Sequence, residues 1–484
     1  MRLESGLGRA AVRGLGWTML RSVSSRLVGS LVFVVLAHLL DPKAFGTIAL
    51  ASVFVVLLSL LVESGFGEAL IQRREVTASD LDTAFWVSNA MGAGLAVLLA
   101  AGAGVAGDLL DQPELGPVLR VLSLVLVLAA LASVPQALLR RELAFRELAI
   151  RGVAATLAGG AVGVGMAVAG WGVWSLVGQL LANAVVGTAV LWRACSWRPG
   201  RAVSRSSVVD LGRFGANVLG ARMAFFASRR ADDLLIGLVL GPVALGLYTA
   251  AYRILLVATE IIIWTIEGVA FPLFSRLHGD RERAGRAFYT MTRLCAAVVM
   301  PAFLALAVLA PEIIRVLLGR QWTGAVPVLQ VLALVGIPHA VTYLNKAVVD
   351  AAGRPDLSLR IAVLTAIVNV LGFAVVVHRG ILAVAISYAV CGYLLVPASI
   401  WSVTRVLDVE LRRYLGLFVA PAASALAMLV SLAATRAALS EDVPGLALVA
   451  ALLAGATAYL VLRSALSSGR RLLAGDTAWE AEAR

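Results

Sequence analysis

Residues 40–51 read LDPKAFGTIALA and residues 240–251 read LGPVALGLYTAA, so Leu40, Pro42, Ala44, Gly46 and Ala51 recur as Leu240, Pro242, Ala244, Gly246 and Ala251 at an offset of 200. A second pairing sets GPVLRVLSLVLVL from Gly116 beside AVPVLQVLALVGI from Ala325, with Pro117, Val118, Leu119, Val121 and Leu122 recurring as Pro327, Val328, Leu329, Val331 and Leu332 at an offset of 210. Matches in alanine, leucine and valine alone would be chance in so apolar a chain. The proline and glycine matches, which fall in short loops, argue for an internal duplication.

The chain around this repeat is built for a bilayer. Of its 484 residues 60% are hydrophobic and the mean hydropathy is +0.92, far above the roughly half-apolar composition of soluble domains. Hydrophobic runs of spanning length begin at Trp17 and Phe45 and end at Tyr414–Ala434 and Leu446–Leu462, which predicts about fourteen transmembrane helices. The first run, Trp17 to Leu40, is longer than a signal-peptide core and is read as a retained helix. Each half of the repeat holds six helices. An even count makes both halves enter the membrane in the same direction, so a pseudo-two-fold axis along the membrane normal would relate them across a central cavity. The expected fold is therefore an all-α polytopic membrane protein: an N-lobe at 1–198, a C-lobe at 199–405, and two further helices with a tail at 406–484.

Loop charge orients the chain, because arginine and lysine accumulate on the cytoplasmic side. Arg73 and Arg74, then Arg140, Arg141, Arg146 and Arg151, then Arg193, Arg198, Arg201 and Arg205, then Arg276, Arg281, Arg283 and Arg286 all fall on one side. The other side holds little beyond Lys43, Arg315, Arg320, Arg379 and Arg436. Both termini are predicted to be cytoplasmic, and the net charge of +12 is a topology signal rather than a nucleic-acid footprint. The three cysteines, Cys195, Cys295 and Cys391, are scattered and fit neither a disulfide framework nor a metal site. No loop exceeds about 20 residues, which excludes an appended catalytic domain. There is no metal-ligand spacing, phosphate loop or nucleophile elbow in a suitable context, so no catalytic residue, metal or cofactor is assigned and the chain is not read as an enzyme.

One span is anomalous. Residues 212–241, GRFGANVLGARMAFFASRRADDLLIGLVLG, are long enough to cross a membrane yet contain Arg222, Arg229, Arg230, Asp232 and Asp233. At about 2.5–3.5 kcal/mol per charge at the centre of a lone helix, four clustered charges facing lipid would cost about 10 kcal/mol. They must face protein or water.

With LAHLLDPKAFGTIALASVF, DDLLIGLVLGPVALGLYTAAYRI, LLRRELAFRELAIRG, GWGVWSLVGQLL, FPLFSRL and LLGRQWTGAVPVLQVLAL in this order, the sequence resembles the polysaccharide-transporter branch, the Wzx-like oligosaccharide flippases, of the multidrug/oligosaccharidyl-lipid/polysaccharide flippase superfamily. The resemblance runs from about Trp17 to Val403. It implies two six-helix lobes working by alternating access in the bacterial cytoplasmic membrane. The implied substrate is an oligosaccharide joined through pyrophosphate to a polyprenyl lipid, destined for surface polysaccharide. A polymerase and a chain-length regulator of the same pathway are the implied protein partners, beside membrane lipid and without nucleic acid. A peptidoglycan-precursor flippase and a cation-coupled drug exporter share the fold and stand as alternatives.

Of such a substrate only the pyrophosphate demands cations, and arginine suits it because the guanidinium forks onto phosphate oxygens. Arg222, deep and without an acid at helical spacing on its own helix, is the first candidate contact, joined by Arg21 and Arg26 of the first helix and by Arg253. Arg21 could instead snorkel to headgroups. Arg229, Arg230, Asp232 and Asp233 fit a gate equally well as structural ion pairs, Arg229 with Asp233 and Arg230 with a neighbouring acid. Glu260 and Glu267 repeat at seven with Arg253, which fits either coupling to a proton or sodium gradient or pairing with that arginine. Asn89, Asn183, Asn217 and Asn369 are candidate sugar contacts or interhelical hydrogen bonds.

Overall fold

The computed structural model describes residues 26–73, 75–277, 279–438 and 450–464. Its regular structure is entirely helical: α1 (Arg26–Leu39), α2 (Pro42–Gly65), α3 (Gly67–Gln72), α4 (Ala78–Leu109), α5 (Leu115–Leu122), α6 (Leu124–Arg141), α7 (Phe145–Val168), α8 (Val173–Ala194), α9 (Arg205–Val239), α10 (Gly241–Arg276), α11 (Arg281–Val308), α12 (Ala310–Leu317), α13 (Val326–Ala351), α14 (Pro355–Val376), α15 (Ile381–Leu394), α16 (Val396–Thr404), α17 (Leu411–Ala438) and α18 (Ala450–Ser464). Eleven segments are long and apolar enough to cross a membrane among the described residues. The other three expected spans fall on α1 and α18, which are shorter, and on α9, whose internal charges set it apart. Large apolar side chains such as Val97, Leu98, Leu109, Leu371, Val375 and Val430 point outward, the inverse of a soluble surface. The chain is a multi-pass membrane protein.

It divides into two compact units, Met1–Gly246 and Leu247–Arg484. In the first, α2 packs on α9, α6 and α4, and α7 lies along α8. Glycines make the last contact close: a Cβ at Gly159 would stand 2.8 Å from the Gln179 carbonyl oxygen, and one at Gly163 would stand 3.3 Å from that of Ser175. In the second unit α13 packs against α11, α15 and α16, and α17 covers α11 with Tyr414 stacked on Phe288 at 5.7 Å.

The repeated motif begins a helix in both copies, by different means. Asp41 caps α2, its Oδ1 accepting from Ala44 N at 2.8 Å, and Pro42 supplies a first-turn residue with no N–H to satisfy. In the second copy Gly241, at φ +82°, turns the chain and Pro242 follows. The two copies also meet inside the first unit. A Cβ on Gly46 would run into the Pro242 carbonyl oxygen, and one on Gly246 into that of Pro42, so each glycine lets the other copy's backbone approach.

Five described helices carry an internal proline that deprives the carbonyl four residues earlier of its donor, and three of them, α6, α11 and α13, show what replaces it. A bilayer offers no water to replace it. In each of these three an aromatic side chain from another helix donates instead: Trp192 Nε1 to Leu131 O at 3.1 Å beneath Pro135, Tyr393 Oη to Leu334 O at 3.0 Å beneath Pro338, and Tyr459 Oη to Ala297 O at 2.6 Å beneath Pro301.

In the first unit the α3–α4, α6–α7 and α8–α9 connections, which carry many of its basic residues, lie close together. Arg141 Nη1 donates to the Leu70 carbonyl at 3.0 Å and to that of Arg73. Thr77 and Asp80 form a reciprocal cap on α4, and Asp80 also binds Arg73 at 3.2 Å and Ser207 Oγ at 2.8 Å. Asp82, 5% exposed, accepts from the Gly200 and Ala202 amides at 2.8 and 3.2 Å. Thr83 Oγ1 accepts from Ser204 N at 2.9 Å, and Trp86 Nε1 donates to the Gly200 carbonyl at 2.8 Å. The segment from α8 to α9 is thereby strapped to the first turns of α4, and a side chain at Gly200 would collide with the Asp82 carboxylate.

Candidate functional site

In the first unit, α2, α3, α6, α7, α8 and α9 surround a charged cavity of about 220 Å³. Each charged group is delivered by a different local rule. Glu63 lies in the last turns of α2, and Glu68 in the first turn of α3, where a carboxylate suits the helix dipole. Arg140 closes α6, Arg151 stands two turns into α7, and Arg222 is midway along α9. Gln136, Asn183 and Thr188 add neutral polar groups to the wall, while Val125, Leu128, Ala129 and Ala132 supply its apolar part.

The central contact is Glu68. Its Oε1 takes Arg222 Nη2 at 2.5 Å and lies 3.6 Å from Arg140 Nη1, so one carboxylate oxygen faces two guanidiniums from different helices. Arg151 Nη1 donates to Gln136 Oε1 at 2.5 Å. Glu63 is accessible on the cavity side and feels Arg151, Arg222 and Arg140, with Glu68 opposing. Three guanidiniums against two carboxylates leave a net excess of one positive charge in the cavity. At about 220 Å³ the space is below the roughly 300–1,000 Å³ that houses a drug-sized ligand, and suits a compact polar group. A larger groove of about 740 Å³ lies elsewhere on this unit, between Lys43, Glu114 and Trp174. Its cation is matched to a carboxylate, Lys43 Nζ to Glu114 Oε1 at 2.7 Å, so the three-arginine cavity is the stronger anion site.

A family model described as "Polysaccharide biosynthesis protein" matches residues 35–327, more than half of the chain and all of the cavity. The chain belongs to this family. Its relatives include the succinoglycan biosynthesis transport protein ExoT of Rhizobium meliloti (strain 1021), 29% identical over 67% of this chain and 66% of that protein, so the match spans about two thirds of the relative's length. The lipopolysaccharide biosynthesis protein WzxC of Escherichia coli (strain K12) is 27% identical over 73% of this chain and 72% of its own. The teichuronic acid biosynthesis protein TuaB of Bacillus subtilis (strain 168) is 27% identical over 83% and 84%. In fold the chain is similar to the lipid II flippase MurJ in an inward closed conformation, with a TM-score of 0.76 over 94% of this chain and 99% of that one at 14% identity. It is also similar to an inward-facing multidrug resistance MATE family transporter, with a TM-score of 0.61 over 79% and 94% at 16% identity.

Of the arginines expected in this polysaccharide-family chain to meet substrate, Arg222 lines the cavity. Its expected isolation is corrected: it has an acid, but one 154 residues earlier in the chain, which helical spacing cannot reveal. Arg26 opens α1 with an exposed side chain and does not line this cavity, while Arg21 lies outside the described residues. Arg253 is exposed and Glu260 half-buried on α10 in the second unit; the side chains of Arg229, Glu267 and Asn217 lie outside the described residues. On α9 Arg230 pairs with a neighbouring acid. Asp233 Oδ2 takes Arg230 Nη1 at 2.6 Å, an i,i+3 pair, and Asp232 and Asp233 are 7% and 6% exposed. Asn183 reaches the cavity, whereas Asn89 donates to the Phe85 carbonyl of its own helix and Asn369 is buried elsewhere.

Arg140, Arg151, Glu63 and Glu68 were not expected here. Arg140 and Arg151 read as topology charges, a role that hides any second one. Glu63 and Glu68 carried a signal, being acids at the end of an otherwise apolar span, where an ionisable residue marks a functional site by default.

Proposed function

We propose that this protein is a flippase that moves a polyprenyl-pyrophosphate-linked oligosaccharide from the cytoplasmic to the outer leaflet of the bacterial cytoplasmic membrane, for surface polysaccharide synthesis. The observation that carries the reading is the cavity in which Arg140, Arg151 and Arg222 converge on a volume sized for a compact anion. Guanidinium forks match phosphate oxygens and stay charged at any physiological pH, so they suit a pyrophosphate drawn from the interface. Membership of the polysaccharide biosynthesis family, with relatives named for succinoglycan, lipopolysaccharide and teichuronic acid synthesis, supports the pathway class. The convergence of basic loops beside the cavity supports cytoplasmic termini and a binding site reached from the cytoplasmic leaflet.

In this reading the lipid tail stays in the bilayer, the arginines hold the pyrophosphate, and Asn183 and Gln136 offer hydrogen bonds to the first sugar. The helices move by alternating access, and no covalent bond is made or broken. A polymerase and a chain-length regulator would receive the product. Coupling to a proton or sodium gradient, if used, would act through acids such as Glu63 or Glu260. A drug exporter for cations would want net acid in its cavity, which the arginine excess disfavours. The test is Arg222→Ala and Arg222→Glu in the native strain. Surface polysaccharide is expected to be lost while the protein stays in the membrane at normal abundance; undiminished export would overturn the assignment.

A further inference from the structure

We infer that Glu68 is a specificity filter: its carboxylate holds the anion position between Arg222 and Arg140, and only a ligand carrying at least two negative charges displaces it. The inference rests on the reading of this cavity as a pyrophosphate site, and adds how it would refuse the singly charged lipids around it.

The geometry supplies the first argument. Glu68 Oε1 serves two guanidiniums with one atom, at 2.5 Å from Arg222 Nη2 and 3.6 Å from Arg140 Nη1. The second distance is an ion pair too long for a hydrogen bond. Each contact runs from a single guanidinium nitrogen to this one oxygen, without the two-pronged geometry in which a guanidinium binds most strongly. A pyrophosphate offers several oxygens on two phosphorus centres, so it can present an oxygen pair to each arginine. It replaces a compromise contact with two well-formed ones.

Charge supplies the second. Arg140, Arg151 and Arg222 with Glu63 and Glu68 sum to one positive charge. If Glu68 swings out, three arginines against Glu63 leave two positive charges, which a pyrophosphate diester with about two negative charges neutralises. A phosphodiester lipid such as phosphatidylglycerol, bearing one negative charge, leaves one cation uncompensated in a wall that is partly apolar, and so competes poorly with the resident carboxylate.

Mobility supplies the third. Glu68 is 28% exposed as a side chain and projects from a six-residue helix anchored by buried Ala69 and Leu70. Its flexible side chain can leave the arginines while the backbone stays in place. Glu68 is the carboxylate in ion-pair contact with both Arg222 and Arg140.

The experiment uses the full-length protein in lipid nanodiscs, with polyprenyl pyrophosphate and the singly charged phosphatidylglycerol as competing probes, read by native mass spectrometry. Wild type should favour the pyrophosphate over phosphatidylglycerol. Glu68→Gln keeps the shape and removes the charge, and is expected to tighten phosphatidylglycerol binding so that the preference falls by about tenfold. Glu68→Asp keeps the charge and should retain most of the preference. It also controls for a general disturbance of folding. An unchanged preference in Glu68→Gln, while Arg222→Ala weakens pyrophosphate binding, overturns the filter and leaves the pyrophosphate site standing. Pyrophosphate binding unaffected by both Arg222→Ala and Arg140→Ala overturns the site and the filter with it.

Discussion

Replacing Asp82 by alanine should release the segment that joins α8 to α9. The carboxylate accepts two backbone amides, Gly200 N at 2.8 Å and Ala202 N at 3.2 Å, at a site only 5% exposed. Hydrogen bonds to a charged group contribute about 1.5–3 kcal/mol each, so the pair is worth at least about 3 kcal/mol. With about 1.4 kcal/mol per factor of ten, the locally open population should rise by about 100-fold. Arg198 and Arg201 lie within the segment and Arg205 at its end, so trypsin reports the opening directly, its rate following the open population when reclosing is fast. The assay is limited digestion of the purified protein with fragment masses read over time. Trp86→Phe, which removes one neutral hydrogen bond to the Gly200 carbonyl worth about 1 kcal/mol, should accelerate cleavage only about fivefold. If Asp82→Ala is cut no faster than Trp86→Phe, the carboxylate does not hold the strap.

Two further perturbations probe helix packing, one in each unit. Gly46→Leu places side-chain atoms against the Pro242 carbonyl, a backbone atom that cannot rotate away; overpacking costs about 1–3 kcal/mol, and more where backbone must move. The folded yield in detergent size-exclusion chromatography should collapse, whereas Gly94→Ala, with nothing within 4 Å of the new atom, should leave it intact. Tyr459→Phe strips the donor from the Ala297 carbonyl beneath Pro301 and should lower the thermal-unfolding midpoint by an amount equivalent to about 1 kcal/mol, as interhelical hydrogen bonds in membranes do; an unchanged midpoint would show that the freed carbonyl finds another partner.

Much of this molecule follows from features that act over a turn or two. Membrane spans are legible because a bilayer demands about twenty consecutive apolar residues. Pro42 and Pro242, read as lying in short loops, stand in the first turns of α2 and α10, and the Arg230–Asp233 pair lay within reach of helical spacing. A count of spans was less secure. The charged α9 is long enough to cross a membrane but not apolar enough to declare it, and its charges make sense only beside the groups they face.

What the sequence alone determined was a polytopic helical protein with a repeated motif, clustered basic residues and one helix whose arginines needed partners. Tertiary structure alone decided who those partners are. Glu68 meets Arg222 across 154 residues, and Arg140 and Arg151, which read as topology charges, join them from α6 and α7. The physical reason is that an ion pair between helices depends on which faces pack together and at what depth. Side-chain periodicity reveals one helix's face but not the neighbour's, so a cavity assembled from six helices is settled only by their packing.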